Sequence, residues 1–351
     1  MYRIIYCFIL LILLTACAAP NTVRVSYDNA ELDAEAALQR VLALKKYFSY
    51  KQRLQNVSYP ILKAANTFCS SNRVNSMGAQ GSASADFQDI WRTAANKILG
   101  GDEFNITWIA EKGPAENAGL ALNDKVIAVN NVQYGNNSQQ HKKFYAEINR
   151  LRSSKALIAN ITVKRNNQIL NLPLKQEKIC GYPVVLSESD AVNAYADGKR
   201  IIITKGMMRF AQDDQDLALV IAHELGHNLM GHLDKKQTNH MIGTLLDLAA
   251  ATQGIDTRGT FGNAGASAFS QDFEAEADYV GLYYMNAAGL PLDGAANFWR
   301  QMAAEHPSNI GSNHSASHPA TSERFLAISK TIEEINYKIG NGQPVTPNLK
   351  N

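Results

Sequence analysis

The sequence predicts an α+β protein that is β-rich in its middle and mostly helical in its C-terminal half. Three observations carry this. The stretch from Asp28 to about Asn56 is rich in helix formers and free of Gly and Pro. Two strand-like runs, Ile158 to Arg165 and Ile169 to Leu174, flank Asn166-Asn167, a pair suited to the corner of a tight hairpin. After Gly181 the helical segments 213 to 233 and 272 to 288 dominate, the second ending before Gly289, a good C-terminal cap.

With 351 residues the chain is long enough for two or three domains, and 46% hydrophobic with 19% charged residues is a globular composition. A formal charge of +2 leaves no electrostatic footprint for a polynucleotide, so nucleic acid is not an expected partner. No internal repeat of solenoid length is visible.

At the N-terminus a basic start ending at Arg3 precedes the apolar run Ile4 to Leu14, which is too short to span a bilayer. It ends in Leu14-Thr15-Ala16-Cys17, which resembles a bacterial lipobox. That resemblance implies a signal peptide over 1–16 and a lipidated Cys17, with acyl chains contributing about 0.8 kcal/mol per buried methylene to a membrane anchor. An ordinary signal peptide cut near Ala19 leaves Cys17 unexplained. Ala18, where sorting to the inner membrane favours Asp, points to a periplasm-facing outer-membrane lipoprotein. Cys69 and Cys180 then remain, and in an oxidising compartment an even pair suggests a disulfide.

Residues 17–68 read as tether and N-terminal helix, with Asp28 or Asn29 as N-cap and Leu38, Val41, Leu42 and Leu44 marking the apolar side. The small, polar stretch 70 to 86 reads as a loop. Within 69–180, Gly113-Pro114-Ala115, Ala118-Gly119-Leu120, Asp124 and Val126 to Asn131 resemble the PDZ signature, with a strand at Phe104 to Ile109 before them and a helix at Ser138 to Leu151 after. The resemblance implies a PDZ-like domain that takes C-terminal peptides as an added strand, with Gly100-Gly101 as a candidate carboxylate loop. A spacer domain that binds nothing is the other reading.

Residues 181–345 form the last unit. A short strand, Ile201 to Thr204, follows a turn at Asp197-Gly198; "MIGTLLDLAAA" at 241 to 251 suits a core or lid helix, and the Gly-rich 254 to 270 suits a mobile segment.

His223-Glu224-Leu225-Gly226-His227 carries the chemistry. Residues four apart on a helix project nearly the same way, so His223 and His227 can grip one ion with Glu224 beside it. Catalytic zinc needs a third protein ligand. His232 is on the wrong side if the helix continues. Glu274 and Asp278, four apart on a later helix, supply one carboxylate for the ion and one to orient a ligating histidine through its other ring nitrogen, while Glu276 points elsewhere.

His-Glu-Leu-Gly-His with this downstream Glu-x-x-x-Asp, "VNAYADGKRIIITKGMMRF" before it and "SHPATSERF" after it, resembles the HtpX-like zinc endopeptidases, gluzincins grouped with the CAAX prenyl proteases. Over roughly 181 to 330 the resemblance implies a mostly helical zincin-like peptidase domain with a small edge-strand sheet and one Zn²⁺ per chain. It further implies Glu224 as general base, His318 and Arg324 near the reacting carbonyl, and an extended or unfolded polypeptide paired along a strand through Asn193, Ala194, Ile202 and Thr204. The expected function is a membrane-tethered periplasmic zinc endopeptidase in protein quality control. The competing expectation is a peptide-binding or chaperone lipoprotein whose metal site is latent or structural.

Overall fold

The computed structural model describes residues 20–70, 72–253, 255–267, 270–305 and 322–350. Cys17 lies outside them. The chain opens with helix α1 (Asn29–Ala64), longer than its Pro-free stretch and continuing through Pro60. Asp28 accepts from the Glu31 amide at 2.8 Å while Glu31 accepts from the Asp28 amide at 2.9 Å, a capping box that fixes where the helix begins. Val41 and Leu44 are buried; Leu38 and Leu42 are exposed.

Next come β1 (Arg73–Ser76), β2 (Ala79–Ser82), α2 (Asp89–Leu99), β3 (Phe104–Ile109), the single turn α3 (Pro114–Asn117), β4 (Lys125–Val129), β5 (Val132–Gln133), α4 (Ser138–Ser153), β6 (Ile158–Arg165), β7 (Gln168–Lys175) and β8 (Glu177–Cys180). Strands pair antiparallel in the order β2-β3-β4-β6-β7, with β5 on β4, while β1 pairs with β8. Phe104, Phe144, Val163 and Leu174 fill the core between this sheet and α4. Asn166 and Asn167, at φ 48° and 62°, make the β6–β7 corner, where short polar side chains tolerate the left-handed region.

The loop expected over 70 to 86 is instead two strands. Its small residues hide the pattern because they are there for closeness. A Cβ on Gly81 would lie 2.2 Å from the Phe104 ring, so only Gly lets β2 run this close to its neighbour.

The C-terminal body begins with β9 (Val184–Ser187), β10 (Ala194–Ala196) and β11 (Ile201–Thr204), ordered β10-β11-β9. Ile202 and Thr204 therefore stand on the central strand, hydrogen-bonded on both sides, and cannot receive an added chain. The turn at Asp197-Gly198 folds β10 back outside β11, so of the four expected residues only Asn193 and Ala194 lie at an edge of the sheet. Helices follow: α5 (Lys205–Phe210), α6 (Asp214–Leu229), α7 (His232–Thr252), α8 (Thr260–Ser267), α9 (Ser270–Ala287), α10 (Ala295–Glu305) and α11 (Ser322–Gly340). Among the described residues no helix is long and apolar enough to cross a membrane.

Two further expectations change. Met241, Ile242, Leu245, Leu246 and Leu248 of α7 are exposed, so α7 is not a core helix. The Gly-rich segment forms α8, packed on α7 where a Cβ on Gly243 would meet the Phe261 carbonyl oxygen. Asp247 fixes this pairing by accepting from the Gly262 amide at 2.8 Å.

One continuous core joins α1 to this body: Tyr50, Leu54, Val57 and Ile61 pack with Leu217, Ile221, Tyr283 and Tyr284. The Arg53 guanidinium adds a polar clamp, donating to Asp214 at 2.7 Å and to the Gln212 carbonyl at 2.9 Å. Just beyond α1, Cys69 is bonded to Cys180 at the end of β8, with Cα atoms 5.6 Å apart and both residues fully buried. The bridge closes a separation of 111 residues, a long loop in the unfolded chain. Replacing both cysteines with Ala is expected to lower unfolding free energy by about 2–5 kcal/mol, read by chemical denaturation under oxidising conditions; an unchanged midpoint would remove the bridge from the stability account.

Candidate metal centre

The site is made where α6 crosses α9. Gly226 meets the backbone of Ala277, at 2.9 Å from an ideal Cβ to its carbonyl oxygen, and Gly281 meets the backbone of Ala222 at 3.1 Å. Because neither residue has a side chain, the helices approach closely enough for His223, His227 and Glu274 to face one another.

Donor atoms of these three residues all lie within 4.8 Å of one another, and all three residues are buried. The two Nε2 atoms are 3.1 Å apart. Each lies 3.3 Å from a different oxygen of Glu274. Two nitrogens at about 2.05 Å from one tetrahedral ion stand about 3.3 Å apart, so the spacing suits zinc. Charge agrees: three buried carboxylates, Glu224, Glu274 and Asp278, face the buried guanidinium of Arg324. With neutral histidines the described residues leave an excess of two negative charges, which a dication matches. The residues fit a His-His-Glu zinc site.

The outer partners orient the rings. His223 Nδ1 is 2.7 Å from Asp278 Oδ1 and, with the carboxylate as acceptor, donates to it. Asp278 also accepts from Arg324, from Nε at 2.5 Å and Nη2 at 3.0 Å. The guanidinium sits over the Trp299 ring at 4.6 Å and reaches Glu274 with Nη1 at 3.5 Å. Arg324 is thus engaged with two carboxylates of the site rather than held out toward a substrate. Burial pushes the Asp278 carboxyl up, but Arg324 and His223 outweigh it and hold it below the usual carboxylate range.

Burial also pulls His223 down, and here the charges of Asp278 and Glu274 win, pushing it up to about 9 in the metal-free protein. His227 behaves oppositely: burial dominates and lowers it. His232, pushed down by burial to about 4, is neutral as well.

His232 corrects the helix argument from sequence. The chain does not continue as one helix over 213 to 233; α6 ends at Leu229, and Gly231, at φ 65°, turns the chain before α7 starts. That break carries His232 back until its Nδ1 lies 2.8 Å from His227 Nδ1. Its Nε2 lies 2.7 Å from Glu276 Oε2, so Glu276 too has a place beside the site. A glycine directly before the third histidine was the available signal.

Glu224, on the same turn as the ligands, is 2% exposed, and its charge acts on both His227 and Arg324. His318 lies outside the described residues. Ala194 begins the outer strand of the small sheet and Asn193 directly precedes it; the Asn193 amide donates to the Thr204 hydroxyl at 3.2 Å.

Residues 159–332 match the model of Peptidase family M48. The matched segment contains both ligand helices and Arg324. Curated relatives include the mitochondrial metalloendopeptidase OMA1 of Schizosaccharomyces pombe, 28% identical over 40% of this chain and 43% of that one. The metalloprotease LoiP of Escherichia coli is 31% identical over 39% of this chain and 57% of its own. The beta-barrel assembly-enhancing protease of Yersinia pestis is 26% identical over 34% and 27%. The chain therefore spans between about a quarter and three-fifths of the length of these relatives.

A metal ion bound through His223 Nε2 would have to displace the proton that Asp278 and Glu274 favour on this ring, whose pKa they push up to about 9. Apparent zinc affinity is therefore expected to rise about tenfold per pH unit between about pH 6 and about pH 8, levelling off near pH 9. Chelator competition across that range checks it, and a flat profile would mean that His223 is already neutral.

Proposed function

We propose that the protein is a zinc-dependent endopeptidase that hydrolyses unfolded or misfolded polypeptides. The observation that carries this reading is the burial of Glu224 within one helical turn of two histidines whose Nε2 atoms converge on Glu274. A purely structural site has no use for that carboxylate. When bound, zinc supplies Lewis acidity toward a carbonyl and makes water a better proton donor. His223, His227 and Glu274 would hold the ion.

Glu224 then accepts a proton from the attacking water and returns it to the leaving amine nitrogen, the general-base and general-acid halves of one hydrolysis. Asp278 and Arg324 act from outside the ligands, fixing His223 with its Nδ1 proton directed away from the ion. Substrate backbone pairs with the open side of β10, a main-chain mode that suits extended chains of varied sequence. His318, outside the described residues, is proposed from the sequence resemblance alone to stabilise the developing oxyanion.

The relatives named as metalloproteases support the protease role. From the Leu14-Thr15-Ala16-Cys17 motif we propose a lipid anchor on Cys17 and a periplasm-facing place at the outer membrane, where a quality-control protease meets unfolded envelope proteins. Nothing in this reading needs a membrane-spanning helix.

A second activity, capture of C-terminal peptides by a PDZ-like body, is supported by one feature. β2 is an edge strand, and between it and α4 lies a cavity of 390 Å³ lined by Ala79, Gly81, Phe104, Phe144, Ile148 and Arg152. The Gly100-Gly101 pair does not suit the carboxylate loop, because β3, which it precedes, is paired on both sides by β2 and β4. Met77-Gly78, immediately before β2, replaces it as the candidate.

The test is casein turnover by the zinc-loaded protein. Glu224→Gln is expected to keep its zinc and lose about 10²–10⁴-fold in turnover, as loss of a general base would. Equal inertness of wild type and Glu224→Gln across a broad peptide library would sink the protease reading. Peptide capture unchanged by the substitution would then favour the binding module.

A further inference from the structure

We propose that His232 and Glu276 are positioning residues that set the tautomer of the ligand His227 through a two-ring relay. The inference rests on the zinc-site reading above and concerns residues that the reading does not itself need.

The argument is one of proton accounting. A carboxylate only accepts, so the 2.7 Å contact between His232 Nε2 and Glu276 Oε2 places a proton on that nitrogen. An ion held through His227 Nε2 leaves the proton of that ring on Nδ1, so His232 Nδ1, which faces it, is the acceptor. The atom facing it at 2.8 Å, His227 Nδ1, must then be the donor. His227 in turn keeps its lone pair on Nε2, the atom 3.3 Å from Glu274 and 3.1 Å from His223 Nε2.

Asp278 imposes the same state on His223 directly. At His227 Nδ1 the facing group is a second imidazole, which spans the distance to a carboxylate. The built character of the relay supports this. His232 is 1% exposed and stacks on Phe273, with ring centroids 4.6 Å apart and planes 22° apart. Lys235 lies 3.5 Å from Glu276 and helps to hold its side chain. Gly231 supplies the turn that brings the second ring into place.

Zinc affinity of the full chain by competition with a chromophoric chelator reads the relay without reference to turnover. His232→Leu removes the acceptor and is expected to weaken zinc about 10–100-fold, the usual cost of losing such a partner. His232→Asn, whose Oδ1 can take the place of Nδ1, recovers most of that loss. Glu276→Ala, at a half-exposed position, weakens zinc by a smaller factor and carries the test if His232→Leu does not fold. Unchanged affinity in His232→Leu, or equal losses in the Asn and Leu variants, would overturn the relay in favour of simple packing.

Ring-nitrogen NMR of the metal-free protein separates this inference from the peptidase reading. A proton on His227 Nδ1 in wild type supports the relay even if the protein cleaves nothing. A proton found on Nε2 instead overturns it even if the protein is an active protease.

Discussion

The site depends on the close crossing of α6 and α9 at Gly226 and Gly281. Burying ionised groups costs several kcal/mol each unless partners are in place. Here Glu224, Glu274, Asp278 and Arg324 are all nearly inaccessible. They are affordable only because two backbones touch, which puts Asp278 within a hydrogen bond of His223 and Arg324 within reach of Glu274 and Asp278 on α9. A side chain at either glycine would push the helices apart, and the carboxylates would then lie buried without the histidines.

The same crossing explains what could be read from the sequence. His223 and His227 share a face of one helix, Glu274 and Asp278 a face of another, and spacing of four reports both facts without the fold. What spacing cannot report is a break in periodicity. His232 falls on the wrong side of a continuous helix, and only the positive φ at Gly231 returns it to the site. Glu276 was obscured by the same argument, since its partner is that returned histidine.

Sheet order was equally hard to read. The run Ile201 to Thr204 looks like a strand from its β-branched residues, yet nothing in those residues says whether a strand lies on each side. Its uniform burial was a clue to a central position, because an edge strand facing substrate would keep one side open. β2 failed to register for the opposite reason: its Ala, Gln, Gly and Ser residues are chosen for closeness to β3 and carry no hydrophobic alternation.

The N-terminal helix, read from its apolar side as an amphipathic helix next to the tether, packs on two bodies. α1 touches both bodies along a single rigid element. Toward its C-terminal end, Asn56 accepts from the Trp108 indole at 2.6 Å, and Tyr59 packs edge-on against Trp108 while donating to Glu177 at 2.6 Å. One turn earlier, Arg53 clamps the start of α6. The Cys69–Cys180 bridge then closes the base of the β-rich body beside the same helix. The β-rich body is thus tied at its two chain ends and packed along the helix that also carries contacts to the metal-bearing body.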